Sequence, residues 1–367
     1  MAFKRMLAVG ALAGTPFAVF CQILPIRPPV PTDPLELVTG PIQVAETANE
    51  RTAVFQLLSR AQNSYALRNS GRSYDLKVRF TVNSGAQTQY DGDWQMEEVF
   101  DPNLGMRWTA TTPAGYTTTR LAVNQRFYSE GTANAIPLRL QEARSVLFGP
   151  IATSKYVERD VIRTSAATIN GVPVTCILLS GPRNPRSTAP GRLWTENEEC
   201  IDPQSGLLQL HSLAPGLYET YDYANAPVLG NRKLPRRVTA TEAGRTIMRL
   251  EVESLTEIPS ADPSLFAPTE KMKAGGPGLA VAEARTIVML GNPRSFRPDS
   301  TVRPVCVFGI IMPSGEFVEA HSLQPSDPNS QAAVQSAMRA SFRSPSANEG
   351  RPEQRFGFVL EEFAATR

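Results

Sequence analysis

The chain has 367 residues, of which 41% are hydrophobic and 20% are charged. This length allows two domains that each bury a core, and the composition is typical of a globular protein. The 37 basic residues exceed the 35 acidic ones by two, and the N-terminal cations Lys4 and Arg5 account for that excess. Because the rest of the chain is neutral, it has no general attraction for nucleic acid, and we exclude that class of partner.

The N-terminus has the features of an export signal. Its two cations precede the uncharged apolar stretch 6–20, and small residues stand where a peptidase would cleave before Gln22. The sequence therefore predicts a signal peptide over 1–22. The alternative is an uncleaved membrane anchor, because 6–24 carries no charge and could just cross a bilayer as a helix. Both interpretations export the rest of the chain.

Composition divides the remaining chain into four parts. Residues 23–41 contain six prolines and are predicted to form an extended linker. A β-rich domain is predicted over 42–270, and a second linker over 271–300. A small C-terminal domain is predicted over 301–367.

One helix and a long series of strands are predicted in the β-rich domain. Apolar residues recur at helical spacing from Val54 to Tyr65, and strand-like alternation begins near Ser73. Eight to eleven antiparallel strands follow, with a second helix predicted at 137–149. The predicted fold class is α+β, with a large antiparallel sheet that one or two helices can cover.

Two hairpins in this series share one turn sequence, Asp-Pro-x-x-Gly. It occurs from Asp101 to Gly105 and again from Asp202 to Gly206. Aspartate suits the first turn position, proline fixes φ at the second, and the closing glycine can adopt positive φ. Both segments are therefore predicted to reverse the chain between neighbouring strands.

The C-terminal part has a different rhythm. A strand ending in VFGII leads into the turn Pro313-Ser314-Gly315, and a return strand follows. A helix is predicted over Asp327–Ala340, and a last strand over 356–363. The order strand, strand, helix, strand predicts a small two-layer unit.

Metal, phosphate and nucleophile motifs are absent from the sequence. The only histidines are His211 and His321, and there is no CxxC, HExxH, GxxxxGK[ST] or GxSxG sequence. We therefore predict no catalytic residue, no metal site and no cofactor. The strongest basic cluster, a candidate contact for anionic lipid headgroups, consists of Arg232, Lys233, Arg236 and Arg237.

Cysteine placement predicts one disulfide. Cys176 and Cys200 lie in consecutive strand candidates, where neighbouring antiparallel strands bring Cα atoms to bridging distance. Cys306 is left single, and we interpret it as a buried strand residue rather than as a reactive thiol. A dyad of Cys200 with His211 is disfavoured, because a hairpin pairing Cys200 with Leu208 and Asn197 with His211 puts the two side chains on opposite faces.

The C-terminal part resembles the C-terminal domain of TonB-type proteins. The resemblance rests on VFGIIMPSG, EFVEAHSL, the helix DPNSQAAVQSAMRASF, and the residues Gly315, Phe342 and Gly350. It covers about 302–363 and implies a two-layer β-α-β module that binds an envelope protein partner, often by adding a strand to a sheet edge. The short linker and the large preceding domain depart from the energy-transducing members of that family.

Residues 46–270 resemble the lipoprotein-carrier class that LolA typifies. The similarity lies in the leading helix, the long antiparallel sheet, the ECIDPQSGLLQL hairpin and the closing ESLTEIPSADPSLFAP. It implies an incomplete β-barrel around helices that holds a lipid or lipoprotein acyl chain. The sequence is compatible with a hollow interior and with one filled by side chains.

Together these features predict a non-enzymatic, exported binding protein of the periplasm. Its half-barrel would hold an apolar ligand, and its C-terminal module would bind a protein. The alternative is a membrane-anchored, TonB-like energy transducer or envelope scaffold in which the large domain is a spacer. A third hypothesis, a hydrolase that uses Cys306 or a serine hydroxyl, is the least favoured.

Overall fold

The computed structural model describes residues 41–85, 88–132, 136–151, 160–180, 192, 196–278, 287–291, 302–342 and 355–364. The predicted leader and nearly all of the first linker lie outside these residues. In the described chain the helices are α1 (Ala48–Tyr65), α2 (Leu138–Phe148), α3 (Glu270–Gly275) and α4 (Ser330–Arg339), with 3-10 turns at Leu67–Ser70 and Pro263–Phe266.

Strands make up most of the described structure. In chain order they are β1 (Gln43–Val44), β2 (Tyr74–Val82), β3 (Gly92–Asp101), β4 (Gly105–Thr111), β5 (Thr117–Val123), β6 (Arg126–Gly131), β7 (Val161–Ile169), β8 (Val172–Ser180), β9 (Asn197–Ile201), β10 (Leu208–Ala214), β11 (Leu217–Asp222), β12 (Val228–Leu229), β13 (Arg232–Lys233), β14 (Arg237–Glu242), β15 (Arg245–Glu257), β16 (Ile287–Gly291), β17 (Val302–Ile311), β18 (Phe317–Ser322) and β19 (Arg355–Ala364).

Thirteen of these strands form one antiparallel sheet. The order of neighbours is β1-β7-β8-β9-β10-β11-β14-β15-β2-β3-β4-β5-β6. No pairing joins β1 to β6 among the described residues, so the sheet is open between these two edges. A large, open antiparallel sheet with few helices is therefore confirmed, and it has more strands than the eight to eleven predicted.

Alternation of apolar and charged residues fixes the faces of this sheet. On β2, Leu76, Val78 and Phe80 are each at most 1% exposed, whereas the intervening Lys77 and Arg79 are exposed. A one-residue slip would put the charged side chains into the core, so burial specifies the register. The apolar face of β2 belongs to the main core, which also contains the buried residues of α1 and α2.

The two Asp-Pro-x-x-Gly sequences form the predicted turns. Asp101 Oδ1 accepts a hydrogen bond from the Asn103 amide, and Asp202 Oδ1 accepts one from the Gln204 amide, both at 2.9 Å. Gly206 closes its turn with φ of +74°. These local bonds hold β3 against β4 and β9 against β10.

The first helix, α1, begins at a complete capping box. Thr47 Oγ1 accepts from the Glu50 amide at 3.2 Å, and the Glu50 carboxylate accepts from the Thr47 amide at 2.9 Å. The buried face of the helix is the predicted one, made of Val54, Leu57, Leu58, Ala61 and Tyr65. Apolar burial and the cap thus place α1 against the sheet.

The C-terminal unit is a four-stranded sheet with α4 packed on one face. Its strand order is β16-β19-β17-β18, and β16 pairs with β19 in parallel. The strand–strand–helix–strand order predicted from the sequence is observed, but β16 lies within 271–300, which we predicted as a linker. The partner of this five-residue strand follows about 70 residues later in the chain, so no local sequence signal indicates the pairing.

The turn between β17 and β18 requires Gly315. Its φ is +87°, and a Cβ atom there would lie 2.3 Å from the Phe342 carbonyl oxygen. The Phe342 amide donates to the Gly315 carbonyl at 2.9 Å, and the Phe342 ring packs against Phe317 at a centroid distance of 5.5 Å. Gly315 and Phe342 are thus structural partners within the unit, while Gly350 lies outside the described residues.

The C-terminal unit packs on the large sheet through an apolar cluster. It contains Leu138 of α2, Ala214 and Leu217 of the β10–β11 hairpin, and the C-terminal residues Cys306, Phe308, Ile310, Leu323, Phe356 and Phe358. At its margin Arg139 of α2 pairs with Glu242 at 2.6 Å and with Glu319 at 3.5 Å. Helix α2 therefore contacts both the large sheet and the C-terminal unit.

Candidate functional site

The candidate site is the face of the large sheet that α1 and α2 cover. Side chains from both helices and from the sheet form one continuous core, which includes Trp94 at 0% and Trp108 at 2% exposure. Phe80 stacks on Trp94 with ring centroids 5.4 Å apart. The described part of this interior is therefore packed with side chains, and a ligand could enter it only by displacing some of them.

A buried carboxylate lies in the middle of this face. Glu98 of β3 accepts hydrogen bonds from the guanidinium groups of Arg68 and Arg144, each at 2.8 Å, and from the Tyr74 hydroxyl at 2.7 Å. Burial alone would raise the pKa of Glu98, but the two arginines outweigh burial and lower it. The network connects α2 and the segment after α1 to strand β3.

This network was not predicted from the sequence. Glu98 occupies an inward position, since Trp94 and Met96 precede it at alternate positions of β3 and are also buried. A carboxylate at an inward position was the available signal, because a buried charge requires partners. Arg144 is 46 residues away in the chain, and nothing local indicates the pairing.

Aromatic rings line the path of Arg144 to Glu98. The guanidinium carbon is 4.0 Å from the centroid of Trp108 and 4.9 Å from that of Phe148. The Arg144 side chain is only 2% exposed. These cation–π contacts and the ion pair compensate the desolvation of the guanidinium and hold α2 in one orientation over the sheet.

A second polar group lies on the same face where β9, β10 and β11 meet. His211 Nδ1 is 2.9 Å from Glu219 Oε2, and its Nε2 is 3.7 Å from Glu199 Oε1. The Tyr221 hydroxyl donates to Glu219 at 3.2 Å, and its ring packs edge-on against Tyr65 of α1. Buried polar side chains and a helix side chain thus meet at this end of the site.

A few polar contacts fasten α1 to the rest of the domain. The Tyr65 and Tyr223 hydroxyls are hydrogen-bonded, and the Tyr223 hydroxyl also donates to the Leu208 carbonyl at 2.9 Å. Arg60 donates to the Pro203 carbonyl at 3.1 Å, and Arg232 donates to the Asn63 carbonyl. Outside its apolar face, α1 is held by individual hydrogen bonds that do not share partners with the Glu98 network.

The predicted disulfide is present. Cys176 of β8 and Cys200 of β9 are directly paired residues, their Cα atoms lie 3.9 Å apart, and both side chains are fully buried. The bridge lies in a separate core cluster with Leu210 and Val174. It joins strands on the face of the sheet opposite to the main core.

The predicted register of the β9–β10 hairpin is wrong. Ile201 pairs with Leu208, one position further along β10 than the predicted hairpin allows, and a bulge between Leu208 and Leu210 adds a second position, so that Cys200 pairs with Leu210 and His211 with Glu199. Cys200 and His211 still project from opposite faces, since Cys200 and Glu199 are successive residues of one strand. The disulfide also occupies the Cys200 sulfur.

The remaining candidates for chemistry are buried or occupied. Cys306 is 0% exposed, and burial raises its pKa well above that of a free thiol. Cys176, Glu198 and Cys200 are the one group of metal-ligand side chains close enough together among the described residues, but both sulfurs are in the bridge. Within the described chain, these groups offer neither a thiolate nucleophile nor free thiolate ligands.

The basic cluster does not converge on one point. Arg232 contacts the end of α1, and Lys233 lies 5.9 Å from the Tyr223 ring centroid. Arg236 pairs with Glu251 at 3.3 Å, and Arg237 with Asp222 at 3.6 Å. All four cations make contacts within the domain, and their interaction with lipid headgroups stays a prediction.

A shallow polar depression of about 420 Å³ lies on the opposite face near the β6 edge. It is lined by Thr117, Thr119, Glu130, Gly131, Thr132 and Lys271. Its lining is hydrophilic and open to solvent. None of the helices in the described ranges combines the length and the apolar character that crossing a membrane requires.

Comparison with known proteins gives structural likenesses only. No family model matches the sequence, and no curated protein matches it. A LolA superfamily protein from Nitrosomonas europaea is 12% identical over 58% of this chain and 96% of its own, with a TM-score of 0.34.

Two further solved structures are similar to the same extent or less. A domain described as an outer membrane lipoprotein-sorting protein, from Vibrio parahaemolyticus, is 12% identical over 57% of this chain and 95% of its own, with a TM-score of 0.33. LprF from Mycobacterium bovis is 11% identical over 58% of this chain and 97% of its own, with a TM-score of 0.23.

Proposed function

We propose that this protein is an exported, non-enzymatic binding protein of the bacterial cell envelope. Its large sheet would take up an apolar ligand, such as a lipid or lipoprotein acyl chain, under α1 and α2. Its C-terminal unit would bind a second envelope protein. Export rests on the predicted leader, and protein binding rests on the resemblance of the C-terminal unit to TonB-type modules.

The observation that supports the proposal is the open sheet with an apolar face under two helices. A sheet closes into a barrel when its two edge strands pair with each other. In the described residues β1 and β6 do not pair, so the sheet stays open and its curvature can change. Helix α1 covers the face with aliphatic side chains and a limited set of polar contacts. An acyl chain could replace the apolar contacts of α1 at little cost, because both are hydrocarbon.

The test is lipid analysis of the full chain purified from an envelope fraction. We expect stoichiometric amphiphile in the mass spectrum, and after delipidation we expect saturable binding of dodecanoate and dodecanol. The C-terminal partner is tested separately, by cross-linking in the envelope and identification of the attached protein. A chain that carries no amphiphile and binds neither probe would contradict the carrier function.

The packed interior favours a second candidate, a scaffold in which the large domain is a spacer. Trp94, Trp108 and Leu140 are each at most 2% exposed, as expected of a core that is complete without ligand. Intact-mass measurement of the mature chain distinguishes the two functions. A retained N-terminus together with lipid-free protein would support the anchored scaffold, and cleavage before Gln22 with bound lipid would support the carrier.

A further inference from the structure

The C-terminal unit covers one end of the large sheet. The β10–β11 and β14–β15 turns meet at this end, because Leu217 of the first pairs with Glu242 of the second. Ala214 and Leu217 belong to the apolar cluster that joins the two units, and a Cβ atom at Gly216 would lie 3.2 Å from the Cβ of Leu323. The C-terminal unit is therefore seated directly on these turns.

The start of helix α2 is held at the same place. The Arg139 guanidinium lies 2.6 Å from Glu242 and 3.5 Å from Glu319 of β18, and its carbon is 5.1 Å from the centroid of the Phe356 ring. His321 Nε2 is 3.2 Å from the other carboxylate oxygen of Glu242. Because α2 and the C-terminal unit share Glu242, the first turn of α2 cannot leave the docked unit without breaking buried charge contacts.

A β-bulge in β18 brings Glu319 to this contact. Phe308 pairs with His321 and Ile310 with Val318, so β18 has one residue more than β17 between these pairs. Glu319 lies in the bulge with φ of +51°, a left-handed conformation that is uncommon for residues other than glycine. Such a conformation persists where the surrounding structure imposes it. The bulge thus marks the strand that contacts α2 as a specialised element.

The rest of α2 lies on the covered face of the large sheet. Arg144 pairs with Glu98 at 2.8 Å. The apolar side chains of the helix that belong to the main core are fully buried: Leu140, Ala143, Val146 and Leu147. The helix has 11 residues and contains no proline or glycine, so it moves as one body. A ligand that lifts α2 from the sheet would therefore also move Arg139 away from Glu242 and Glu319.

We propose that docking of the C-terminal unit holds α2 on the sheet and thereby opposes ligand uptake by the large domain. This inference rests on the proposed function and adds its regulation. The docked chain has low affinity for an acyl ligand, and the undocked chain has high affinity. The coupling is reciprocal, so bound ligand favours undocking by the same factor by which undocking raises the affinity.

The first measurement uses a charge reversal on the C-terminal unit. Glu319→Lys puts a cation opposite Arg139 and should undock the unit without changing a residue of the large domain. In calorimetric titration we expect the delipidated full chain with this substitution to bind dodecanoate and dodecanol at least about fivefold more tightly than the native chain, as is typical of coupled sites. Glu316→Lys, the same charge change at an exposed position of the β17–β18 turn, is the matched control and should leave both affinities unchanged.

A disulfide staple shows whether the effect comes from docking. The pair Gly216→Cys and Leu323→Cys can bridge the two units, because their Cβ separation of 3.2 Å is close to the range of about 3.5–4.5 Å in disulfides. Cys306→Ala is included in every chain of this series, since Cys306 lies in the same cluster. In the stapled chain Glu319→Lys should no longer raise the affinity. Gly216→Cys alone has the same backbone strain, at φ of +88°, without a bridge, and should keep the gain.

Closure of the staple also measures docking directly. In a glutathione buffer, the equilibrium constant for forming the bridge rises with the docked fraction of the reduced chain. Glu319→Lys should lower this constant, and saturating dodecanol should lower it as well. If Glu319→Lys leaves the constant unchanged, His321→Glu is the second undocking variant, because it places a carboxylate against Glu242.

The outcomes separate this inference from the proposed function. Equal affinities of the undocked and native chains, or a gain that persists in the stapled chain, would overturn the coupling and leave the carrier function intact. Failure of every chain, the undocked one included, to bind either probe would overturn both. A gain that the staple abolishes supports both.

Discussion

Glu98 is a buried carboxylate whose partners come from two separate segments of the chain and from a neighbouring strand. It is fully buried, and it is the shared acceptor for Arg68, Arg144 and Tyr74. Removing its charge leaves two guanidinium groups without their carboxylate in a region of low dielectric. Single surface ion pairs on the same strand have no such effect, because water screens them.

The substitution Glu98→Gln tests this assignment. We expect the free energy of unfolding to fall by about 3 kcal/mol, the usual cost of breaking a buried ion pair from one side. Equilibrium urea unfolding followed by tryptophan fluorescence measures the change. Glu97→Gln on the exposed side of β3 is the control, since Glu97 pairs with Lys77 at the surface, and its effect should stay below about 1 kcal/mol.

The lowered pKa of Glu98 also predicts a pH dependence. A carboxyl whose folded pKa lies below its unfolded value contributes stability above the unfolded pKa, about 4.3, and loses that contribution as the pH falls through the folded value. The native chain should therefore lose more stability than Glu98→Gln between pH 5 and pH 2. Identical acid-unfolding curves for the two proteins would contradict the assignment.

For the strands and helices, the features that could be predicted were those with a signal in the neighbouring sequence. The alternation on β2 and the two Asp-Pro-x-x-Gly turns are local signals, and the structure agrees with both. Strand β6 was missed because its side chains are half-buried or exposed without alternation. The register of the β9–β10 hairpin was predicted wrongly, because the first pair after the turn is shifted by one position and a bulge in β10 adds a second shift.

Pairings between residues far apart in the chain could not be predicted from the sequence around each residue. Strand β16 is five residues long and pairs with β19 near the C-terminus, so its membership in the second sheet depends on a partner distant in sequence. The charged contacts of the covered face have the same origin, as Glu98 and Arg144 come from a strand and a helix with other elements between them. Apolar faces were predictable, whereas the partners of buried polar groups were not.

The Cys176–Cys200 disulfide joins two neighbouring strands of the large sheet, and its removal tests how much it stabilises the domain. Cys176 and Cys200 are separated by 24 positions, and closing a loop of that size stabilises the fold by about 3 kcal/mol through the unfolded chain. The double substitution of both cysteines to alanine should lower the free energy of unfolding by that amount. Cys306→Ala leaves the bridge intact and controls for the loss of a buried sulfur.

For the whole molecule, α2 is the element shared by its two units. Arg144, near its C-terminal end, contacts Glu98 inside the large domain, whereas Leu138 and Arg139 at its start contact the C-terminal unit. Arg139 is 6% exposed at the side chain and faces Glu142, Glu242 and Glu319. The two units therefore meet through a buried charge cluster next to an apolar one.

The substitution Arg139→Met should separate the units. It keeps the length of the aliphatic side chain but leaves several carboxylates buried around an uncharged group, which costs about 3–5 kcal/mol. We expect two transitions in thermal unfolding of the variant and a single transition for the native chain. The control is Lys273→Met on α3, whose ion pair with Glu270 is exposed. A single transition at an unchanged temperature would show that Arg139 does not hold the interface.

The open sheet has one further consequence, for its tendency to self-associate. Unpaired strand edges recruit strands from other molecules, and in the described part of the chain this sheet has two edge strands, β1 and β6. β1 has only two residues, and β6 is covered by α3 and by the hydrogen bond from the Gly278 amide to the Phe127 carbonyl. Residues 270–278 therefore cover the β6 edge, and we expect this cover to prevent pairing with a second molecule. In the full chain, Met272→Asp at the buried position of α3 should detach this cover and produce oligomers in light scattering, while Lys273→Ala at an exposed position of the same helix should leave the protein monomeric.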